Sequence, residues 1–273
     1  MKRFKFGFLA GLFIFLGFSC QKNELISGID ENLAGQEMID EVVAAELDMM
    51  TDEAIDLQLV TLKSAVLSLS FLTESCPVKT YDRNANPKVL TLDFGTGCKG
   101  RDGKTRSGKI IIKATSFEDM MSTREKTFEN FVVEGRKIEG KIIKKVTLNR
   151  DEHSRIAEIT EDITFTSADG KAVTRKGTLT REMQYGVAAS PADNRTLTWG
   201  EVKTTRADGT VVTKTIPEST PLVFRATCRQ IVRGKATLTI GADKTMTIDY
   251  GNGECDNVAT VTKGTEVKTI KLR

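Results

Sequence analysis

The spacing of apolar residues divides the chain into three zones. Phe6–Phe18 is an unbroken run of 13 apolar or glycine residues. Residues 37–50 instead place four apolar side chains at positions i, i+4, i+7 and i+11, which predicts one short amphipathic helix. From about Leu67 onward, apolar and polar residues alternate with a period of two, the pattern of a half-buried β-strand.

The third zone predicts a series of strands in which Thr, Val and Ile predominate. They are Lys88–Phe94, Lys109–Ser116, Lys126–Glu134, Lys137–Leu148, Ile156–Thr166, Ala172–Gln184, Thr196–Arg206, Val211–Thr215, Leu222–Arg233, Lys235–Ile240, Thr245–Tyr250 and Glu266–Leu272. Asp-Gly pairs mark several hairpin turns, and no apolar pattern of helical length separates the strands. We therefore expect an all-β fold, an antiparallel multi-stranded sandwich or a partly open barrel.

The first zone has the composition of an export signal. Basic residues precede the apolar run, and Ser19-Cys20 follows it. A helix of this length would measure about 20 Å, less than the hydrocarbon core of about 30 Å, so a signal peptide is favoured over a membrane-spanning helix. The cysteine resembles the lipidated residue of bacterial lipoprotein signals, which implies removal of residues 1–19 and a lipid anchor on Cys20. The alternative is ordinary secretion with Cys20 in the protein core.

The charge of the mature chain is divided between two segments. The whole chain carries a formal charge of only +3. Residues 23–62 contain 11 acidic residues and no Lys or Arg, whereas the chain from Lys63 onward carries a net +10. We interpret residues 20–66 as a solvated acidic tether with a short helix, and residues 67–273 as the all-β domain. The alternative is a segment that docks on the basic domain or on a partner.

A short motif occurs once near each end of the β domain. In Val89–Cys98 and Thr245–Cys255, a strand runs into Asp-aromatic-Gly-x-Gly and then a cysteine. We expect the Asp to accept backbone N–H groups in a turn, and the glycines to adopt positive φ. These turn residues are Asp93, Gly95, Gly97, Asp249, Gly251 and Gly253.

Each copy of the motif has a second cysteine upstream. Once Cys20 is lipidated, Cys76, Cys98, Cys228 and Cys255 remain, in a compartment that oxidises thiols. Four cysteines allow three pairings. The repeat favours Cys76–Cys98 and Cys228–Cys255, one disulfide for each copy.

The same stretches carry a family resemblance. The chain is similar over about residues 70–273 to a family of uncharacterised Bacteroidota outer-membrane or surface lipoproteins. The residues that carry the resemblance are Cys76-Pro77, the stretches 93–112, 133–140 and 249–257, and Cys228. The resemblance implies secretion and an all-β fold, and it brings no activity and no functional residues.

The motifs that suggest catalysis or cofactors lack their structural context. Gly97–Thr105 is one residue too long for a phosphate-binding loop and leads into a predicted strand, whereas such a loop needs a helix N-terminus. The single histidine, His153, stands in a polar turn without a nucleophile beside it. No cysteine stands in a C-x-x-C pair, so we expect no zinc. Trp199 is either a core residue or a lone binding platform.

These observations predict a lipid-anchored cell-envelope protein of structural or interaction type, without catalysis, cofactor or metal. The expected location is the outer membrane or the cell surface, and the alternative is periplasmic or secreted. The membrane would be contacted through Cys20, and the basic domain would suit an anionic envelope polymer or a protein. Nucleic acid is not expected. The alternative functions are a carrier or binder of an apolar or anionic envelope ligand, and an enzyme acting through two convergent carboxylates.

Overall fold

The fold is known from a computed structural model that describes residues 29–59, 72–73, 75–116, 118–149, 154–184, 195–225, 227–242 and 244–271. Side chains of the helix are described as far as Ile55. The predicted lipidation site Cys20, the signal peptide and His153 lie outside the described residues.

One helix precedes a long series of strands. The helix α1 is Glu31–Leu59. The strands are β1 Val78–Asp82, β2 Lys88–Asp93, β3 Cys98–Lys99, β4 Thr105–Ala114, β5 Met121–Val133, β6 Arg136–Asn149, β7 Ser154–Thr166, β8 Ala172–Gln184, β9 Arg195–Thr205, β10 Val211–Ile216, β11 Leu222–Arg225, β12 Gln230–Ile240, β13 Lys244–Asn252, β14 Val258–Lys263 and β15 Glu266–Lys271.

The strands form one antiparallel sheet in chain order, with β1 and β15 at its two edges. The short β3 pairs only with β4. β10 and β11 occupy one place between β9 and β12, because both pair with the same two neighbours and residues 217–221 interrupt them. The prediction of an all-β antiparallel fold is confirmed, and most predicted strands lie within a few residues of the observed ones.

The predicted division of residues 222–240 into strands is wrong for a local reason, and some strands were not predicted. The single predicted strand Leu222–Arg233 is divided into β11 and β12 by a turn at residues 227–229, which contains the disulfide-bonded Cys228. Strands β1, β3 and β14 were not predicted. β1 lies at an edge with nearly all its side chains exposed, so its sequence shows little apolar alternation.

Most buried side chains of the sheet lie on one face, which we call the inner face. On the flanking strands this face is apolar, with Leu90 and Leu92 on β2 and Met246 and Ile248 on β13. On the central strands, charged side chains are buried on this face among apolar ones such as Ile159 and Val202. The buried cations there are Arg124, Lys126, Lys144, Arg155, Arg175, Arg181 and Lys214.

The helix lies against the inner face, and the sheet curls around it. Lys104, just before β4, pairs with Glu46, while Lys268 on the edge strand β15 pairs with Glu31. The helix therefore contacts the sheet near both edges. Met38, Leu47 and Met50 belong to the same apolar core as the flanking strands.

The expectation of a solvated tether is wrong for the helical segment. The helix has 29 residues, and most of its described side chains are buried, acidic ones included. The physical reason is charge complementarity, since the acidic residues meet cations that the sequence pattern placed in the basic domain. The alternative of a segment docked on that domain describes the structure.

Glycines allow the central strands to bend closely past one another. Gly140 on β6 has φ 108°, and a Cβ placed there would lie 2.2 Å from the Asp162 carbonyl oxygen on β7. Gly200 on β9 has φ 124°, and its Cβ would lie 2.4 Å from the carbonyl oxygen of Thr178. Such positions admit only glycine, and they are where a curved sheet bends.

We therefore expect Gly140→Ala to lower the free energy of unfolding by about 3 kcal/mol or more, because backbone strain and a backbone clash coincide. Gly135→Ala is the matched control. Gly135 also has positive φ, 75°, but a Cβ there meets nothing within 4 Å, so the cost should be about 1 kcal/mol. Urea unfolding of both variants measures the difference. Equal costs would show that the close approach at Gly140 is unimportant.

Candidate functional site

The principal polar site of the molecule is the contact between the acidic helix and the charged part of the inner face. Glu37, Glu41, Asp48 and Asp52 recur at a spacing that places them within an arc of about 60° on one side of α1. All four are buried. We call these residues and their cationic partners the helix–sheet ion-pair network.

Asp52 lies at the end of this network nearest the C-terminus of the helix. Its carboxylate accepts hydrogen bonds from Arg124 at 3.0 Å and from Arg155 at 2.9 Å, and it also pairs with Lys144. Arg124 and Lys144 stand directly opposite each other on β5 and β6. One carboxylate therefore pairs with two cations whose side chains the strand register holds side by side.

Asp48 lies one turn earlier in the helix and joins three strands. It pairs with Lys126 on β5, with Lys144 on β6 at 2.7 Å, and with Arg181 on β8 at 2.9 Å. Lys144 is thus shared between Asp48 and Asp52. The network is continuous across the centre of the sheet.

Glu41 and Glu37 extend the network to β8 and β10. Glu41 pairs with Arg175 at 2.8 Å and with Lys214 at 3.3 Å. Lys214 also donates to the backbone carbonyl of Glu37 at 2.8 Å, and the Glu37 carboxylate pairs with Arg206 at 2.5 Å. Every acid on this side of the helix therefore meets at least two cationic side chains.

The cations determine the protonation state of the buried acids. Burial by itself would raise the pKa of the Asp52 carboxyl, but Lys144, Arg155 and Arg124 more than offset it, so that the pKa lies well below its ordinary value of 3.8. The pKa of Asp48 is lowered in the same way by Lys126, Lys144 and Arg181. Both acids are therefore ionised at neutral pH.

The same balance holds at Glu41 and Glu37. Burial raises the pKa of each carboxyl, and the facing Arg175, Lys214 and Arg206 lower it below the ordinary value of 4.5. Because the facing cations keep all four acids ionised, this arrangement is suited to holding a helix in one register rather than to proton transfer.

Sequence reasoning missed this network. Arg124, Lys126 and Lys144 occupy alternate strand positions, as solvent-facing charges also do. The alternation alone therefore does not indicate that these cations are buried. A signal was nevertheless present. On β5, Glu125 alternates with these cations, so charged residues stand on both faces of the strand and one face had to bury its charges.

An apolar cleft lies beside the network, between α1 and strands β5–β7. It measures about 140 Å³. Its walls include Leu47 and Met50 of the helix and Phe131, Ile138 and Phe165 of the sheet. The Arg136 guanidinium lies over the Phe165 ring, 4.9 Å from its centroid, and pairs with Asp40 at 2.7 Å. The cleft therefore has apolar walls and an ion pair at its margin.

The two copies of the repeated motif have the same local geometry. Asp93 accepts the backbone N–H of Gly95 at 2.8 Å, and Asp249 accepts that of Gly251 at 3.0 Å. The glycines of both copies have positive φ, including Gly97 and Gly253. Each Asp also pairs with a lysine directly opposite on the neighbouring strand, Lys109 for the first copy and Lys235 for the second.

The disulfides confirm the pairing that the repeat favoured. Cys76 is bonded to Cys98, and Cys228 is bonded to Cys255. Strand direction places the two motifs at opposite ends of the sheet, because β2 and β13 run in opposite senses along the antiparallel series. The motifs are therefore two separate disulfide-bonded turns, one near each edge of the sheet, and the fold does not bring them into one site.

Other candidate groups are not assembled into a site. Trp199 is half-buried at the outer face of β9, and it packs against the margin of the core. Among the described residues, no cluster of three or more His, Cys, Asp or Glu side chains has the arrangement of a metal site. No helix in the described part of the chain is long and apolar enough to cross a membrane.

Comparison with known proteins adds no relative. No protein-family model, curated protein or solved structure that was compared matches this chain. The function must therefore be inferred from the chemistry of the helix–sheet ion-pair network and its surroundings.

We expect Asp52→Asn to lower the free energy of unfolding by about 3–5 kcal/mol, because Arg124, Lys144 and Arg155 would remain buried beside a neutral amide. Glu31→Gln is the control. The Glu31–Lys268 pair is largely exposed, so its loss should produce little measurable change. Urea unfolding of both variants checks this. A small effect of Asp52→Asn would mean that the network does not hold the helix.

The network also predicts acid sensitivity. Because the pKa values of Glu37, Glu41, Asp48 and Asp52 are lowered in the folded protein, their stabilisation is complete above the unfolded-state values and is lost as pH falls. The free energy of unfolding should be nearly constant from about pH 5 to neutral pH and fall progressively below about pH 4. Urea unfolding over this pH range measures it. A free energy that stays constant through this acid range would contradict the prediction.

Proposed function

We propose that this protein is a lipid-anchored cell-envelope protein of structural or interaction type, without catalytic activity. Its anchor would be the lipidated Cys20, and its location the outer membrane, as in the Bacteroidota lipoproteins that it resembles. The observation that carries the proposal is that the segment following the anchor forms part of the folded domain. The ion pairs of α1 hold that segment inside the sheet.

This arrangement supports a domain held close to the membrane. Only nine residue steps separate Cys20 from Ile29, whose backbone N–H bonds to Glu266 on β15 at 3.0 Å. Even a fully extended chain spans at most about 30 Å over that number of residues. A solvated tether of residues 20–66 would have had a root-mean-square reach of about 35–40 Å. The anchored protein would therefore present its sheet near the lipid surface.

The distribution of charge also argues against binding of a large anionic polymer on the inner face. The cations that gave residues 63–273 their net positive charge include the buried partners of α1. Those cations are already paired with carboxylates of the same chain. Recognition of an external anion would therefore depend on cations of the outer face.

A carrier of lipid is less well supported. The apolar cleft of about 140 Å³ would hold one ring or a few methylene groups, whereas ligand sites usually measure about 300–1,000 Å³. A wider groove of about 680 Å³ opens beside it, and the polar side chains of Asn32, Asp40, Arg136 and Arg206 line part of its walls. The helix occupies the volume in which a lipid would have to lie.

The anchor is tested by Cys20→Ser. We expect the wild-type protein in the membrane fraction and the Cys20→Ser variant in the soluble fractions. The variant would carry no acyl chains, and nothing else in the proposal retains it at the membrane. Ser19→Ala is the matched control and should stay with the membrane, since it changes the neighbouring residue and leaves the cysteine. Fractionation with immunoblotting measures both. Membrane retention of Cys20→Ser would refute the proposed anchor.

A further inference from the structure

Directly opposed cations are uncommon in a sheet, because like charges at facing positions repel each other. Among the described strands, three pairs of cations face each other directly. They are Arg124–Lys144, Lys176–Lys203 and Arg195–Arg225. What neutralises each pair distinguishes the three.

Two of the pairs hold a carboxylate supplied by the chain. Arg124 and Lys144 both bind Asp52. At the second pair, Lys176 binds Asp162 at 2.9 Å. The fold thus places an acid against opposed cations, both in its interior and on its outer face.

The third pair has no such partner. Arg195 begins β9 and Arg225 ends β11, and no carboxylate of the described residues lies within 4.0 Å of either guanidinium. Arg195 is exposed and Arg225 is half-buried. The one acid on the adjoining part of β8, Glu182, instead accepts the side-chain amide of Gln184 at 3.1 Å.

The flanking strands add further donors at the same position. Gln184 on β8 stands directly opposite Arg195, and Gln230 on β12 stands directly opposite Arg225. The four side chains therefore form one row across four strands, with two guanidinium groups between two amides. Arg233 stands opposite Val223, two residues before Arg225, and it too lacks a carboxylate of the described residues within 4.0 Å.

We propose that Arg195 and Arg225 form a binding site for a phosphate monoester on the outer face of the sheet. Facing residues of an antiparallel pair have Cβ atoms about 5 Å apart, so two guanidinium groups can bind one tetrahedral anion from two sides. A phosphate monoester carries a charge of about −1.5 to −2 at neutral pH, which neutralises both arginines. Its oxygens accept the paired N–H groups of each fork, which lysines would not present.

The second disulfide fixes the site. Cys228 lies three residues after Arg225 and is bonded to Cys255 on the β13–β14 connection. The turn that follows Arg225 is thereby tied to a neighbouring part of the sheet. A ligand would thus meet arginines on a rigid rim, which lowers the conformational entropy lost on binding.

The site lies away from the proposed anchor. Gln184 stands opposite Arg195 on one side and opposite Ser154 on the other. The residue after Ser154 is Arg155, which binds Asp52, so the site lies towards the C-terminal end of the helix. Asp52 is about 30 Å along the helix from Glu31, the end to which the anchored segment leads. This orientation rests on the proposed function, whereas the phosphate site itself does not.

The test uses the full mature chain in detergent micelles, titrated calorimetrically at low ionic strength with inorganic phosphate and with acetate. We expect phosphate to bind and acetate to bind at least about ten-fold more weakly, because a monovalent carboxylate neutralises only one arginine. Arg195→Gln/Arg225→Gln should weaken phosphate binding by about ten-fold or more. Lys176→Gln/Lys203→Gln, the matched change at the other outer pair, should leave it within about two-fold.

Thermal unfolding supplies a second measurement that does not depend on calorimetric heat. In phosphate-free buffer, Arg195→Gln/Arg225→Gln should raise the unfolding midpoint, because the repulsion is removed, and added phosphate should no longer raise it. The proposal would be overturned if the wild-type protein does not bind phosphate. It would also be overturned if the arginine double variant binds phosphate as tightly as the wild type does. Equal loss in the lysine control would also overturn it, since non-specific charge would then explain the binding.

Vesicles distinguish a free phosphate from one carried on a lipid. Vesicles containing phosphatidic acid should compete with inorganic phosphate for Arg195 and Arg225 if the natural ligand is a headgroup, and should not compete if the site admits only a free monoester. Competition by vesicles of neutral lipid alone would overturn the proposed phosphate recognition. Release of Cys20→Ser from the membrane is a separate measurement, so failure of the anchor leaves this test intact.

Discussion

The pairing of helix carboxylates with cations on the inner face is the interaction on which the rest of the structure depends. A buried charge without a partner costs several kcal/mol, so neither the helix nor the central strands could bury their charged side chains alone. Asp48 and Asp52 supply the negative charge that Lys126, Lys144 and Arg155 require. The helix is therefore part of the domain's core.

The same pairing explains the division of the inner face. Where the acidic side of α1 faces β5–β10, the sheet presents cations. The apolar residues of the helix belong to one core with apolar residues of the sheet, such as Leu92 and Ile248. Hydrophobic burial supplies stability in both regions but is non-directional, whereas the ion pairs fix the rotation and register of the helix. A shift of one turn would place Asp48 where Asp52 now binds Arg124.

The sequence allowed prediction of the fold to the extent that each element carried its own pattern. Alternation identified strands such as Ala172–Gln184, and the repeated motif identified both disulfides. The buried network was not predictable from alternation, because a buried Lys126 and a solvent-facing lysine occupy strand positions of the same kind. Its identification needed the sheet and the helix together, since the partner of each cation lies about 70 to 175 residues away along the chain.

If the protein carries the proposed lipid anchor, the acidic residues of the core also determine which of two apolar environments the helix occupies. A helix that follows closely after acyl chains could bury its apolar side in the bilayer or in the sheet. Carboxylates such as Glu41 and Asp48 are costly at the bilayer centre, by about 2.5 kcal/mol or more each, yet they are neutralised inside the sheet. Charge, rather than total hydrophobicity, therefore directs the helix into its own domain, and the position of that domain near the membrane follows from the same acids.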